Sequence, residues 1–387
     1  MEKKVIAVLG ATGSVGTQAL DVARSRGYRV DLLYANRDVD GMERLAAEFL
    51  PKRVVMADAA AADKLAARIS NLGIEVLSGE TALADSIASS DAETVVNAVS
   101  GSAGLMPTLN IIKSGKRLAL ANKESLVVAG DIVMRRAAEA GVEILPVDSE
   151  HCAIFQSLKS GKGSEVRRIL LTASGGPFRD KSIEELRRVT LADTLAHPTW
   201  KMGKRITVDS ATLMNKGFEL IEAVHLFGVA PDAVEVLVHR ESILHSAVEY
   251  IDNSIIGELS VPDMRMCVQY AVDYPDRCIG AAQQLDLTKL GALHFERPRY
   301  DAFPLLALAK AAIGEGGAVP AVMNAADEVA VAAFLDGEIG FTDIARAVTE
   351  TVERLADARS TTDLAGILEA DATARITARE IIAKFIG

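Results

Sequence analysis

The sequence is poor in cysteine. Cys152, Cys267 and Cys278 are the only three in 387 residues, and no two form a CxxC pair. That usage supplies neither a disulfide framework nor a cysteine-rich zinc site, and it suits a reducing compartment. Positive charge is also short, with 42 lysines and arginines against 53 acids and a formal net charge of −11. A chain with this balance has no global field for nucleic acid or an anionic membrane, so any anionic ligand must be captured by a local cluster of donors. No uncharged apolar run reaches about 18 residues, which argues against a membrane-spanning helix. There are no internal repeats, and the one biased tract is the alanine-rich stretch 57–62. Met1-Glu2-Lys3-Lys4 leads straight into a strand pattern, so no signal peptide is expected and the expected location is the cytoplasm.

The sequence does have globular content: 49% hydrophobic and 25% charged residues, over a length that predicts two or three domains. Over 1–147, apolar runs at 5–9, 30–34, 53–56, 75–77, 94–99, 117–121 and 142–147 alternate with helical stretches such as 17–26 and 42–49. Alternation of this kind predicts an α/β domain with a Rossmann-type, doubly wound parallel sheet. The pattern changes over 148–274. Strand-like runs at 234–239, 243–251 and 255–260 lie close together, with Asp252-Asn253 as a turn signal, and predict an antiparallel or mixed sheet in a central α+β catalytic domain. Within it, 210–227 reads as one helix capped by Asp209 or Ser210. Residues 275–299 read as a connector. Helical periodicity at 304–313, 321–335, 341–355 and 372–385 predicts a C-terminal α-helical bundle over 300–387.

The first strand runs into Gly10-Ala11-Thr12-Gly13-Ser14-Val15-Gly16 and then a helix. Glycines there let the backbone approach a pyrophosphate, and the helix N-terminus offers free N–H groups. The unliganded alternative is a plain strand-to-helix turn. The second strand ends in Ala35-Asn36-Arg37-Asp38. Asp38 falls just past the position where an acid would hold ribose hydroxyls, whereas a guanidinium at Arg37 suits a 2′-phosphate, which favours NADP over NAD.

The strand expected over 141–147 ends in Asp148-Ser149-Glu150-His151. In an extended chain Asp148 and Glu150 share a face. Two close carboxylates repel unless a proton or cation separates them, and a hard cation such as Mg²⁺ or Mn²⁺ fits. Alternatively they cap a helix over 152–159. On the helix 210–227, Asn215, Glu219 and Glu222 follow i, i+4, i+7 and could add a third ligand, or form a solvated face. Ser210 and Lys216 carry donors suited to phosphate, and Ser174-Gly175-Gly176-Pro177 could present backbone N–H groups to the same anion or make a simple turn. Asn122-Lys123-Glu124-Ser125 puts a lysine where substrate could meet cofactor. His197-Pro198-Thr199-Trp200-Lys201-Met202-Gly203, with the single tryptophan, reads as a lid or as a surface loop.

Several strings carry a resemblance: GATGSVG (10–16), LALANKES (118–125), LPVDSEHCAIFQSL (145–158), ASGGPF (173–178), HPTWKMGKRITVDSATLMNKGFELIEA (197–223), VPDM (261–264) and NAADEVAVAAFL (324–335). Together they resemble the 1-deoxy-D-xylulose 5-phosphate reductoisomerase family over essentially the whole chain. The resemblance implies a homodimeric enzyme that uses NADPH and Mg²⁺ or Mn²⁺. It would rearrange and reduce 1-deoxy-D-xylulose 5-phosphate to 2-C-methyl-D-erythritol 4-phosphate, in the non-mevalonate route to isoprenoids. It implies Asp148, Glu150 and Glu219 as metal ligands, choosing Glu219 over Glu222. Ser174, Ser210, Asn215 and Lys216 become phosphate donors, with His197 nearby. Lys123 and Ser149 meet the hydroxyl end of the substrate, and Lys123, Glu150, His197 and His239 are the implied catalytic residues. Trp200 and Met202 belong to the lid. The implied cofactor residues are Gly10, Thr12, Gly13, Ser14, Val15, Gly16, Asn36, Arg37, Asn122, Glu124 and Gly203.

Three positions depart from the family pattern: Cys152 after His151, Arg240-Glu241 after His239, and Ala196 before His197. None removes an implied metal ligand or phosphate donor. Two rival readings are a metal-dependent NADP oxidoreductase for another substrate, such as an amino-acid semialdehyde, and a non-catalytic sensor. The acidic trio argues against both.

Overall fold

The computed structural model describes residues 4–196 and 203–386. The chain forms two units. One comprises Met1–Ser125, Val133–Cys152 and Asp263–Gln283; the other comprises Leu126–Ile132, Ala153–Pro262 and Gln284–Gly387.

Seven strands build the first unit: β1 (Val5–Leu9), β2 (Arg29–Ala35), β3 (Arg53–Met56), β4 (Glu75–Ser78), β5 (Thr94–Asn97), β6 (Arg117–Leu120) and β7 (Ile144–Pro146). All pair in parallel in the order β4-β3-β2-β1-β5-β6-β7. Ile6 to Leu9 of β1 and Thr94 to Asn97 of β5 are buried. Helices therefore cover both faces, as their unbroken apolar runs require. The strand order reverses between β1 and β5, which creates a crevice at their carboxyl ends. This is the doubly wound sheet expected from the alternating pattern.

Residues 263–283 also belong to this unit. Helix Met264–Asp273 lies against helix Ser14–Arg26. The buried Asp273 carboxylate accepts the Tyr28 hydroxyl at 2.5 Å and sits 3.5 Å from Lys4 Nζ, while Arg117 donates to the Tyr274 carbonyl at 2.8 Å.

The second unit holds a mixed sheet of β8 (Val166–Ala173), β9 (Val234–Val238), β10 (Leu244–Tyr250) and β11 (Ile255–Leu259), in the order β11-β10-β8-β9. β8 and β9 are parallel, and β10 runs antiparallel to both its neighbours. Asn253 turns the β10–β11 hairpin with φ 70. Helices Pro304–Glu315, Val319–Leu335, Phe341–Arg354 and Leu364–Ile386 follow. Val319–Leu335 is buried along almost its whole length, so it is apolar nearly all round, as a helix enclosed by others must be. Phe178 meets Phe341 edge-on at 5.1 Å, which ties the segment after β8 into the same core. No helix among the described residues is long and apolar enough to cross a membrane.

Two expectations are corrected. The single helix expected over 210–227 is two helices, Lys204–Thr212 and Met214–Phe227, separated by Leu213 at φ 61. Ser210 therefore ends the first helix, and neither Asp209 nor Ser210 caps the second. The buried Leu213 side chain belongs to the core, which compensates for a backbone conformation that branched residues seldom adopt. The second correction concerns 141–151. β7 stops at Pro146 and a helix starts at Ser149, so Asp148 and Glu150 do not share a strand face.

Candidate active site

In the first unit, β1 passes through the glycine turn into helix Ser14–Arg26, whose N-cap is Gly13 with no side-chain cap. Gly10 has φ 78, and a Cβ there would lie 2.3 Å from the Ala98 carbonyl oxygen; one on Gly16 would lie 2.1 Å from the Gly10 carbonyl oxygen. Both glycines are fixed by steric contact at the β1–β5 switch point. Gly13 and Ser14 are exposed, and Thr12 and Val15 half-buried, around the first-turn N–H groups of the helix. Such a terminus attracts phosphate.

At the end of β2, Asn36 and Arg37 are both exposed. Asp38 accepts the Gly41 N–H at 2.9 Å and caps helix Val39–Phe49. The acid is therefore engaged in capping, and Arg37 stands as the charged group at that edge. Asn122 and Glu124 are turned toward the loop after β5. Asn122 donates to the carbonyls of Val99 (2.6 Å) and Gly101 (2.9 Å), and Glu124 accepts the Gly101 N–H at 3.1 Å. They shape the loop that faces Gly10.

Beyond β7, the Asp148 carbonyl accepts the Cys152 N–H at 2.8 Å and so opens helix Ser149–Ser157. Glu150 lies in its first turn, where the helix dipole favours an anion. The Ser149 hydroxyl donates to Glu150 at 2.6 Å, and the buried Lys123 ammonium lies 2.5 Å from Asp148. Lys123, Asp148, Ser149 and Glu150 thus form one cluster at the carboxyl ends of β6 and β7.

The second unit carries the other expected residues. Ser174 follows β8, and its Oγ accepts the Gly176 N–H at 3.3 Å. Gly175 and Gly176 have φ 80 and 68, and a Cβ on Gly176 would lie 2.6 Å from the Ser210 carbonyl oxygen. The Ser174 loop therefore packs directly on the end of helix Lys204–Thr212. In the first turn of helix Met214–Phe227, Asn215 donates to Glu219 at 2.5 Å and the buried Lys216 ammonium pairs with the same carboxylate. Glu222 is buried one turn later. Gly203 caps helix Lys204–Thr212 with its backbone. His197, Trp200 and Met202 lie outside the described residues.

His239 is fully buried, with its ring stacked on Phe295 at 4.7 Å. Nε2 accepts the N–H groups of Ile243 and Leu244, both at 3.1 Å, and Nδ1 lies 2.9 Å from the His294 carbonyl. That pattern fixes the proton on Nδ1 and engages both nitrogens with the chain. The imidazole fastens the β9–β10 connection and has no free nitrogen for proton transfer. Sequence reasoning missed Arg179, whose guanidinium donates to the carbonyls of Ser174 (3.2 Å) and Gly176 (3.3 Å) and so braces the glycine loop.

A doubly wound sheet with this glycine turn, joined in one chain to a unit bearing buried acids and amines, defines an α/β enzyme of the dinucleotide-dependent class. Three family models match: 1-deoxy-D-xylulose 5-phosphate reductoisomerase over 6–130, its C-terminal domain over 144–227, and the DXP reductoisomerase C-terminal domain over 259–377. The 1-deoxy-D-xylulose 5-phosphate reductoisomerase of Symbiobacterium thermophilum is 50% identical over 384 residues, covering 98% of each chain. That of Ruminiclostridium cellulolyticum is 47% identical over 379 residues, covering 98% of this chain and 99% of its own. The chain belongs to the 1-deoxy-D-xylulose 5-phosphate reductoisomerase family. A crystal structure of DOX-P reductoisomerase in complex with NADPH, fosmidomycin and magnesium matches with TM-score 0.94 at 38% identity, covering 98% of each chain. The Zymomonas mobilis enzyme in complex with NADPH matches with TM-score 0.91 at 44% identity over 98% of this chain.

Proposed function

We propose that this protein converts 1-deoxy-D-xylulose 5-phosphate to 2-C-methyl-D-erythritol 4-phosphate, using NADPH and Mg²⁺ or Mn²⁺. The observation that carries the reading is full-length membership of the family, together with relatives solved with NADPH and magnesium. The residues suit both groups. Gly10 and Gly16 leave a cradle that side chains would fill, at a helix terminus fit for a pyrophosphate. Asp148, Glu150 and Glu219 offer hard oxygen donors of the kind Mg²⁺ and Mn²⁺ prefer. When bound, the cation supplies Lewis acidity at the ketone and neighbouring hydroxyl oxygens, and NADPH supplies the hydride.

The chain's own residues do the rest. Arg37 takes the cofactor 2′-phosphate, with Asn36 beside it, and Thr12, Gly13, Ser14 and Val15 line the pyrophosphate. Asn122 and Glu124 shape the adjoining loop, and Gly203 is assigned to the cofactor as well. Ser174, Ser210, Asn215 and Lys216 hold the substrate phosphate, whose binding energy orients carbons remote from it. Ser149 holds a substrate hydroxyl, and Lys123 and Glu150 move protons. His197 serves the substrate beside its phosphate, Trp200 and Met202 form the lid over it, and His239 acts by fixing its loop. In this assignment 1–147 binds NADPH, 148–274 performs the chemistry and mediates dimerisation, 275–299 connects, and 300–387 buttresses. Loss of NADPH absorbance with this ketose phosphate, dependent on Mg²⁺ or Mn²⁺, tests the reading; no oxidation with either metal overturns it.

We also propose a homodimer built on the edge strand β11. Its support is the exposed apolar group Ile251, Ile255, Ile256 and Leu259. Light scattering that gives a monomer would refute it, and Ile255→Glu should weaken the dimer. A cytoplasmic location suits the three free thiols.

A further inference from the structure

We propose that Asp327 is a positioning residue for the phosphate cradle, sharing one proton with Asp209 and so fixing the end of helix Lys204–Thr212 that carries Ser210. The inference rests on the reading of Ser210 as a phosphate donor. Asp327 sits in the buried helix Val319–Leu335 and is wholly inaccessible to solvent. Neither of its oxygens receives an N–H or O–H donor from the described residues. Its polar neighbour is the Asp209 carboxyl, itself 4% exposed.

Two buried carboxylates in contact cannot both be ionised without large cost, and one nearby cation offsets only one charge. Among the described residues that cation is Arg205, 3.7 Å from Asp209 and one helical turn before it. The arrangement that balances charge keeps Asp209 ionised beside Arg205 and Asp327 neutral, its O–H donating to Asp209. Burial, and then the Asp209 charge, push the Asp327 carboxyl well above the usual range, with Arg205 opposing.

Charged groups reach Asp327 from its own helix and from the helix that carries Asp209. From the Asp209 helix comes Arg205, and from the Asp327 helix comes Glu328. Helix Leu364–Ile386 adds Arg375, which lies 2.8 Å from Glu328 and is paired with Asp371 at 2.7 Å. On the two other packed helices, Arg346 pairs with Glu350, and Lys310 with Asp232.

Position follows from these contacts. Arg205 reaches Glu328 at 3.0 Å and Asn324 at 3.4 Å, so Arg205 and Asp209, one turn apart on their own helix, both fasten onto the single turn 324–328 of the other. Ser210 is the next residue, and its carbonyl abuts Gly176 of the Ser174 loop. A shift of this helix end would move both halves of the cradle.

The test compares Asp327→Asn, which keeps an N–H donor but does not titrate, with Asp327→Ala. In the native protein the folded chain keeps a proton that the unfolded chain has released above about pH 4. Stability therefore falls as pH rises from there and levels once the folded pair has titrated. Melting temperatures across pH 5–10 should show the native protein losing ground steadily to Asp327→Asn. Asp327→Ala should raise KM for the sugar phosphate about tenfold, equivalent to about 1.4 kcal/mol, with kcat and the NADPH KM within about twofold. Asp327→Asn should keep all three near native at neutral pH. Parallel melting curves for the native protein and Asp327→Asn would overturn the shared proton. Equal loss of every kinetic constant in both variants would overturn the positioning role. If Asp327→Ala does not fold, Asp327→Ser takes its place, and a sugar-phosphate KM that stays native in it would overturn the positioning role. A native protein inert toward the ketose phosphate would refute the functional reading, and the melting comparison would still judge the proton.

Discussion

Nζ of Lys123 lies 2.5 Å from Oδ2 of Asp148, and the two side chains are largely buried at the carboxyl ends of neighbouring strands. A lysine held on a carboxylate proposed as a metal ligand can neutralise it and move a proton at the same centre. Lys123→Ala is expected to lower kcat by about 10²- to 10⁴-fold, the range for a proton-transfer group. The NADPH KM should be nearly native. Steady-state kinetics at saturating Mg²⁺ check this, and a kcat within threefold of native would remove Lys123 from the chemistry.

Arg37 should set the preference between dinucleotides. Asp38 is committed to capping its helix, so no acid competes with the guanidinium for the ribose edge. Arg37→Ala is expected to raise the NADPH KM by roughly 10- to 100-fold, the worth of a charge-assisted contact, and to leave the NADH KM almost unchanged. Equal changes for both cofactors would refute the role.

Gly16→Ala should cost stability before it costs specificity. The added Cβ meets the Gly10 carbonyl at 2.1 Å, and that atom is backbone. A loss of about 2–3 kcal/mol is expected from such overpacking, readable as a lower denaturant midpoint with weakened NADPH binding. Native stability in this variant would mean that the turn can shift freely.

Acid should expose the contact between Glu241 and His294. Burial disfavours the Glu241 carboxylate, but the His294 ring at 2.6 Å and its backbone N–H at 3.2 Å outweigh that and hold it down at about 2, against the usual 4.5. A depressed folded value contributes stability above about pH 4.5 that is lost as pH falls toward 2. His294→Ala should therefore melt roughly 2 °C lower at pH 6, with the gap closing below pH 4. A gap that widens in acid would contradict the assignment.

Much of the fold could be read in the chain because local and global preferences agree. The runs at 5–9 and 53–56 coincide with β1 and β3, whose apolar residues are buried within the sheet. The corner at Leu213 was hidden because residues 211–214 continue an ordinary helical pattern; core packing, which acts at long range, selects the left-handed turn. The return of 263–283 to the first unit also has no local mark, since the contact between Tyr28 and Asp273 spans 245 residues. In the site, Gly10 and Gly16 were legible because each is forced by sterics. The inward turn of Asn122 and Glu124, the saturation of both His239 nitrogens and the burial of Asp327 depend on neighbours that sequence spacing does not reveal.

The corner at Leu213 makes Asn215, Lys216 and Glu219 a cassette, cross-linked by its own hydrogen bonds and mounted on the start of helix Met214–Phe227. Each residue added to or removed from that corner would swing the cassette by about 100°, carrying its ammonium, amide and carboxylate round together. The internal bonds would survive, so the helix would look intact while every donor faced elsewhere. The length of this stretch is therefore as much a part of the site as the residues it carries.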